Sequence, residues 1–270
     1  MARRPAAERA AREAPSGTKR PWWLIGVGLV AVLVIALVTL PAQLFAGRLA
    51  RYGLEATSLA GSVWNGRARG LAWRSAPLGD VAWSLAPLEL LRGRIGADVA
   101  LSRPDGQLQA SVSLSGGGTL RLTDVQFQLP VEALSALPLG MPRNWRGRVA
   151  GSFDEIAVSQ GWPTALAGTL EMDGLVAPPP RSTSIGSYHV ELPDPSATDA
   201  AEGELTARVT DKEGPFSFEG RLTLAPDRSF LLEGTLAPRG TTPPQLVRSL
   251  ELLGPADASG RRPVSVSGTL

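Results

Sequence analysis

The run from Trp22 to Leu40, WWLIGVGLVAVLVIALVTL, has no charged side chain among its 19 residues. As a helix rising ~1.5 Å per residue it would be roughly 29 Å long, close to the ~30 Å hydrocarbon core of a bilayer. Pro21 and Pro41 bracket the run, which suits a helix start and a helix stop. Trp22 and Trp23 fall where aromatic side chains gather at a membrane interface. The expectation is one transmembrane helix over residues 21–41, anchored by Trp22, Trp23, Leu24, Ile25, Val38 and Leu40. A cleaved signal peptide, with an apolar core of ~7–15 residues, fits the length less well. Leu44-Phe45-Ala46 offers that alternative only a weak cleavage context.

The flanks set the direction. Residues 1–20 carry six basic side chains against Glu8 and Glu13, whereas Arg48 and Arg51 are the basic residues in the first stretch beyond the run. The positive-inside rule then makes residues 1–20 a cytoplasmic tail and puts residues 42–270 across the membrane. The same tail accounts for the high pI: after position 20 there remain 21 basic and 23 acidic residues, a net of −2. A domain without excess positive charge is not built for nucleic acid, and that partner is excluded.

Beyond residue 55 the apolar period becomes two. Ile95–Leu101, Leu108–Leu114 and Leu120–Phe127 alternate, as do the sets Leu205-Ala207-Val209, Phe216-Phe218, Leu222-Leu224 and Phe230-Leu232, and the stretch Val264–Leu270. Such alternation marks antiparallel strands with one buried and one solvated face. Ser115–Gly118, Asp211–Pro215, Glu219–Gly220 and Ala225–Arg228 are expected as separators, and glycine followed by x-Leu is expected at strand starts, as in Gly168-Thr169-Leu170, Gly220-Arg221-Leu222 and Gly234-Thr235-Leu236. Ala42–Glu55, with Leu44, Phe45, Leu49 and Tyr52 at near-helical spacing, is expected to be a short juxtamembrane helix. Two more short helices are expected over Pro130–Leu137 and Pro244–Leu253, the latter N-capped by Thr242. The proline-bearing segment 177–203 is expected to be a loop that could divide the β-domain into two halves.

Chemistry-bearing motifs are absent. There is no cysteine, no Gly-x-Ser-x-Gly elbow, and Lys212 is the sole lysine after the anchor, which leaves no P-loop. His189, the single histidine, sits in a strand-like stretch without triad or metal partners; Asp194, Asp199, Glu202 and Glu204 match no calcium loop. No catalytic, cofactor-binding or metal residue is expected, and the chain reads as a non-enzyme. Tryptophans are more informative: Trp64, with Trp73 and Trp83 at expected strand ends, reads as core packing beside an Asn65-Gly66 hairpin turn, or as a partner surface formed by Trp64, Asn65, Gly66 and Trp83.

Gly61-Ser62-Val63-Trp64-Asn65-Gly66, followed by Leu78-Gly79-Asp80-Val81-Ala82-Trp83-Ser84-Leu85-Ala86-Pro87-Leu88, resembles the N-terminal signature of the type II secretion system protein N family, the general secretion pathway protein N of Gram-negative bacteria. The resemblance continues through Trp162–Leu170, Gly186-Ser187-Tyr188, Leu253–Arg261 and Ser267–Leu270, and Ser62 stands where the family usually has threonine. It implies an accessory inner-membrane component of the machinery that exports folded proteins across the outer membrane, with a periplasmic main domain and other secretion components, the secretin among them, as partners. A further likeness to AsmA-like envelope proteins implies a curved, open antiparallel sheet.

Two functions stay open. A non-enzymatic interaction module would use an exposed strand edge for β-addition. A lipid-binding groove would use the apolar row Leu205, Val209, Phe216, Phe218, Leu222 and Leu224, unless two halves of the sheet close on each other as a sandwich.

Overall fold

In the computed structural model the described residues are 40–74, 76–90, 93–134, 144–178, 183–193, 203–240, 242, 247–248, 250 and 254–269. The anchor residues Trp22, Trp23, Leu24, Ile25 and Val38 lie outside them. Among the described residues no helix is long and apolar enough to cross a membrane.

Residues 41–270 form one compact unit, and it is an open antiparallel sheet with a few short helices. The strands are β1 (Leu54–Glu55), β2 (Ser58–Gly61), β3 (Asn65–Trp73), β4 (Ala76–Ala86), β5 (Arg94–Arg103), β6 (Gly106–Ser115) and β7 (Leu120–Pro130). They continue as β8 (Arg146–Ser159), β9 (Trp162–Val176), β10 (Ser184–Leu192), β11 (Leu205–Glu213), β12 (Phe216–Leu224), β13 (Ser229–Pro238) and β14 (Arg262–Thr269). β1 and β2 both pair with β3, and from β3 onward each strand pairs with the next in the chain. Short helices α1 (Ala46–Arg51), α2 (Pro87–Leu90) and α3 (Val131–Leu134) decorate this meander.

The alternation in the sequence becomes two chemically distinct faces. Residues opposite each other in an antiparallel ladder share a face. One such row runs Ala68, Val81, Leu101, Leu108, Phe127, Gly151, Leu170, Val190 and Val209. A row on the opposite face runs Gln109, Gln126, Ser152, Thr169, Glu191, Arg208, Arg221 and Glu233. Bulges keep the apolar set on its side where the pattern slips. In β7 Leu120 and Leu122 sit on even positions and Val125, Phe127 and Leu129 on odd ones, and the extra residue Asp124 takes φ 51° to absorb the change. Aspartate tolerates that left-handed conformation better than most residues.

The apolar face is only partly covered. One cluster centres on Ala110, Val125 and Phe153, with the rings of Phe127 and Phe153 stacked at 6.3 Å. A second joins Val131 of α3 to Val149 and Leu175. No large side chain among the described residues is completely buried. Two sheet halves closed as a sandwich ~10 Å apart would seal the side chains between them. The described strands thus form the expected open antiparallel sheet, not the sandwich weighed against it, and they leave the apolar face partly exposed.

Several local expectations change. Helix α1 stops at Arg51, and Leu54–Glu55 is already strand, because Gly53 turns the chain at φ 76°. Segment 177–203 contains β10, which ladders with β9 on one side and β11 on the other and so carries the sheet through the expected loop. Glu219–Gly220 does not interrupt β12, and Gly168, Gly220 and Gly234 lie inside strands rather than at their starts. α3 begins one residue after Pro130, which ends β7. Residues 135–137 and most of 244–253 lie outside the described residues, although Leu250 is buried. The described bonds of the Thr242 hydroxyl run backward: it accepts from the Arg239 amide at 2.8 Å and donates to the Pro215 carbonyl.

Candidate interaction surfaces

Glycines inside the strands have a physical role. Trp83 lies opposite Gly66, Phe127 opposite Gly151, Phe153 opposite Gly168 and Phe230 opposite Gly268. A Cβ built on these glycines would meet the facing ring at 2.2 to 2.9 Å, well inside contact distance. Phe218 covers two such positions, Gly220 and Gly234, which are themselves cross-strand partners. Aromatic rings thus lie flat over bare backbone, covering both the glycines and part of the apolar face.

The Trp64–Gly66 segment shows how this shapes a hairpin. Gly61 pairs with Gly66, and the Ser62 amide donates to the Asn65 carbonyl at 2.8 Å, so Val63-Trp64 forms the tip and Asn65-Gly66 opens β3. Asn65 and Gly66 are therefore not the turn residues. The Ser62 hydroxyl accepts from the Asn65 amide at 3.1 Å, closing the loop from within. Trp83 stands in the middle of β4 rather than at an end, and its Nε1 donates to the Val63 carbonyl at 2.9 Å. The Leu85 amide donates to the Trp64 carbonyl at 2.6 Å. Of the four candidate residues, Trp83 and Gly66 are brought together as packing, while Asn65 remains exposed and Trp64 half-buried at the tip.

Trp73 does end β3, as expected. Its Nε1 donates to the Tyr52 carbonyl at 3.2 Å, and the Arg74 guanidinium sits 5.1 Å from its ring centroid. Just inside this corner, a cavity of about 300 Å³ is lined among the described residues by apolar side chains, Leu49, Leu54, Leu59, Leu71 and Leu85 among them. Sequence spacing does not reveal it, because these five leucines come from five separate elements, α1 and β1 to β4.

The row at β11 and β12 lies together on the apolar face: Leu205 is opposite Leu224, and Val209 opposite Gly220. Phe218 is buried and meets Tyr188 edge-on at 6.4 Å, whereas Leu205, Val209, Phe216, Leu222 and Leu224 stay half-buried. Burial pushes the Tyr188 phenol upward, and the nearby Asp211 charge adds to the shift. Asp211 is held by Arg239 and by the Phe218 amide at 2.7 Å. On the opposite face Glu171 lies between His189, at 3.7 Å, and Lys212, at 3.2 Å. Among the described residues no group of three His, Asp or Glu is arranged to hold a metal ion.

The two ends of the sheet differ. At one end the edge is broken into β1, two residues long, and β2, four residues long, with a bridge between Pro41 and Ser62. At the other, β14 runs for eight residues, pairs with β13 on one side and leaves Val266 48% exposed. Short, broken strands blunt an edge, whereas a long regular one keeps a row of backbone groups open to pairing.

Comparison with known proteins gives this sheet a context. The family model described as type II secretion system (T2SS), protein N, matches residues 52–265. The chain is 27% identical over 256 residues to the type II secretion system protein N of Vibrio cholerae serotype O1, covering 91% of this chain and 98% of that one. It is also 27% identical over 248 residues to the protein of the same description from Aeromonas hydrophila, covering 90% and 96%. The counterpart from Klebsiella pneumoniae is 26% identical over 243 residues, covering 88% and 92%. No solved structure matches the chain significantly.

Proposed function

The chain belongs to the type II secretion system protein N family, and we propose that it serves this machinery as a non-enzymatic interaction module. In this reading residues 21–41 cross the inner membrane, residues 1–20 stay in the cytoplasm and the sheet stands in the periplasm. The observation that supports it best is the asymmetry of the edges. β14 offers a regular eight-residue edge, and its apolar positions Val264 and Val266 extend the rows of Gly234 and Leu232. An extended segment of another secretion component would add there as a further strand, its main chain supplying affinity and alternate side chains specificity. The secretin is the first partner to test.

A photo-crosslinking side chain at Val266 in the full-length protein, expressed in secreting cells, should trap a secretion subunit. Val266→Lys should reduce both the crosslink and secretion while leaving the protein level unchanged. Normal secretion in that variant, together with no crosslinked subunit, would count against the module. A second reading, lipid held on the apolar face by Leu205, Val209, Phe216, Phe218, Leu222 and Leu224, draws support from the incomplete covering of that face. Stoichiometric lipid co-purifying without secretion subunits would favour it.

A further inference from the structure

We infer that, when no partner strand occupies it, the β14 edge pairs antiparallel with β14 of a second copy of this chain, about a two-fold axis at Val266. The inference rests on the reading of β14 as the interaction edge, and it adds what holds that edge before a partner arrives.

The open edge is the first support. Among the described residues β14 pairs with β13 alone, in a ladder without a register shift. From Val264 to Thr269 it has no charged residue, no proline and no bulge, and Val266 is 48% exposed. Lysines, prolines and bulges are what keep a regular edge from recruiting another strand. The opposite end of the sheet is defended by the shortness of β1 and β2, whereas β14 needs a strand to cover it.

Backbone direction is the second. A proline fits an edge strand where its missing N–H would point outward. Pro263 then sets the outward positions as 263, 265, 267 and 269, because main-chain groups alternate in direction along a strand. With Val266 on the axis, Ser265 lies opposite Ser267 of the copy, and Pro263 opposite Thr269 of the copy. Each serine pair exchanges two bonds and each Thr269 amide donates to a Pro263 carbonyl, about six main-chain hydrogen bonds in all.

Self-complementarity is the third, and it selects the occupant. A two-fold axis normal to the sheet keeps each face on its own side, so Val266 meets Val266 of the copy and Val264 meets Gly268. The ring of Phe230 lies over Gly268, and Val264 would therefore pack on an aromatic ring of the copy. On the polar face serine, threonine and proline meet one another. Arg262, the one charged residue of β14, is carried to opposite ends of the ladder, ~27 Å from its counterpart at ~3.4 Å per residue. No like charges face each other across the pair.

The chain has no cysteine, so Val266→Cys introduces a unique thiol. A non-hydrogen-bonded antiparallel pair holds its Cα atoms ~4.5 Å apart, within reach of a disulfide. Full-length Val266→Cys, purified in micelles and oxidised, should run as a disulfide-linked dimer. Thr269→Cys, whose two copies would lie ~20 Å apart, should not. Val266→Lys and Val266→Glu should each sediment as monomers, and mixing them should restore a dimer holding one of each. In cells the Val266→Cys crosslink should rise when the other secretion subunits are deleted, since one edge seats one strand. An unchanged crosslink on that deletion would overturn the exchange with a partner. A monomeric parent protein whose Val266 still traps a secretion subunit would overturn the second copy and leave the interaction module standing. A monomer with no subunit trapped would overturn both.

Discussion

The indole of Trp83 lies across the backbone of Gly66, its cross-strand partner, so closely that a methyl group on Gly66 would fall 2.2 Å from Cζ2 of the ring. The ring is also tethered by its Nε1 bond to Val63, so it cannot withdraw without losing that partner. Gly66→Ala should destabilise the full-length chain by about 1–3 kcal/mol, the usual cost of forcing extra volume into a filled site. Urea unfolding in micelles, followed by tryptophan fluorescence, measures this. An unchanged midpoint would mean the ring is free to move.

Phe218 covers Gly220 and Gly234 together and meets Tyr188 edge-on. Its truncation uncovers two glycines and an aromatic contact at once. Phe218→Ala is therefore expected to cost at least ~3 kcal/mol, the lower bound for removing a buried aromatic ring. The same unfolding experiment reads it.

Val266 belongs to the edge, and its side chain is 48% exposed. Val266→Lys should shift stability by no more than ~0.5 kcal/mol, as exposed substitutions do. Paired with a loss of secretion, an unshifted melting temperature would separate a binding role for β14 from a structural one.

Three carboxylates at chain reversals give an acid-dependent term. The Ser229 hydroxyl and amide donate to Asp227 at 2.6 and 2.9 Å and hold its pKa below the ordinary value of 3.8. Ser259, then the Arg261 amide, lower Asp257, and Arg103 lowers Asp105. A carboxyl with a lowered folded pKa stabilises the fold above its unfolded pKa and loses that contribution as pH falls through the folded value. Asp227→Asn should thus be less stable than the parent at pH 7, and the gap should close in acid below the ordinary carboxylate range. Thermal melts of both proteins at a series of pH values provide the check.

Strands with unbroken alternation, such as β5, β6 and β14, could be read from the sequence because one face is buried and the other wet. β10 is legible in part: Ser187–Glu191 alternates, while prolines at 178–180, 193 and 195 mark the segment around it as a loop. β12 was divided at Gly220 because glycine inside a strand looks like a break until the ring of Phe218 is seen over it. Trp83 was legible as packing, but its partner was not, since cross-strand pairing of Gly66 with Trp83 depends on register. Nothing in the spacing pairs Arg74 with Trp73; only the fold puts the guanidinium 5.1 Å from the centre of that ring.

From β3 to β14, every ladder joins strands that are neighbours in the chain. Such a design has an adjustable length. A hairpin could be inserted or deleted at almost any reversal without rethreading the rest, and each added strand would widen the sheet by ~4.8 Å. The thirteen strands on the main path give a contour of roughly 58 Å at that spacing. Evolution could thus fit the domain to a wider or narrower gap between its two ends one hairpin at a time, while the terminal strands kept their own chemistry.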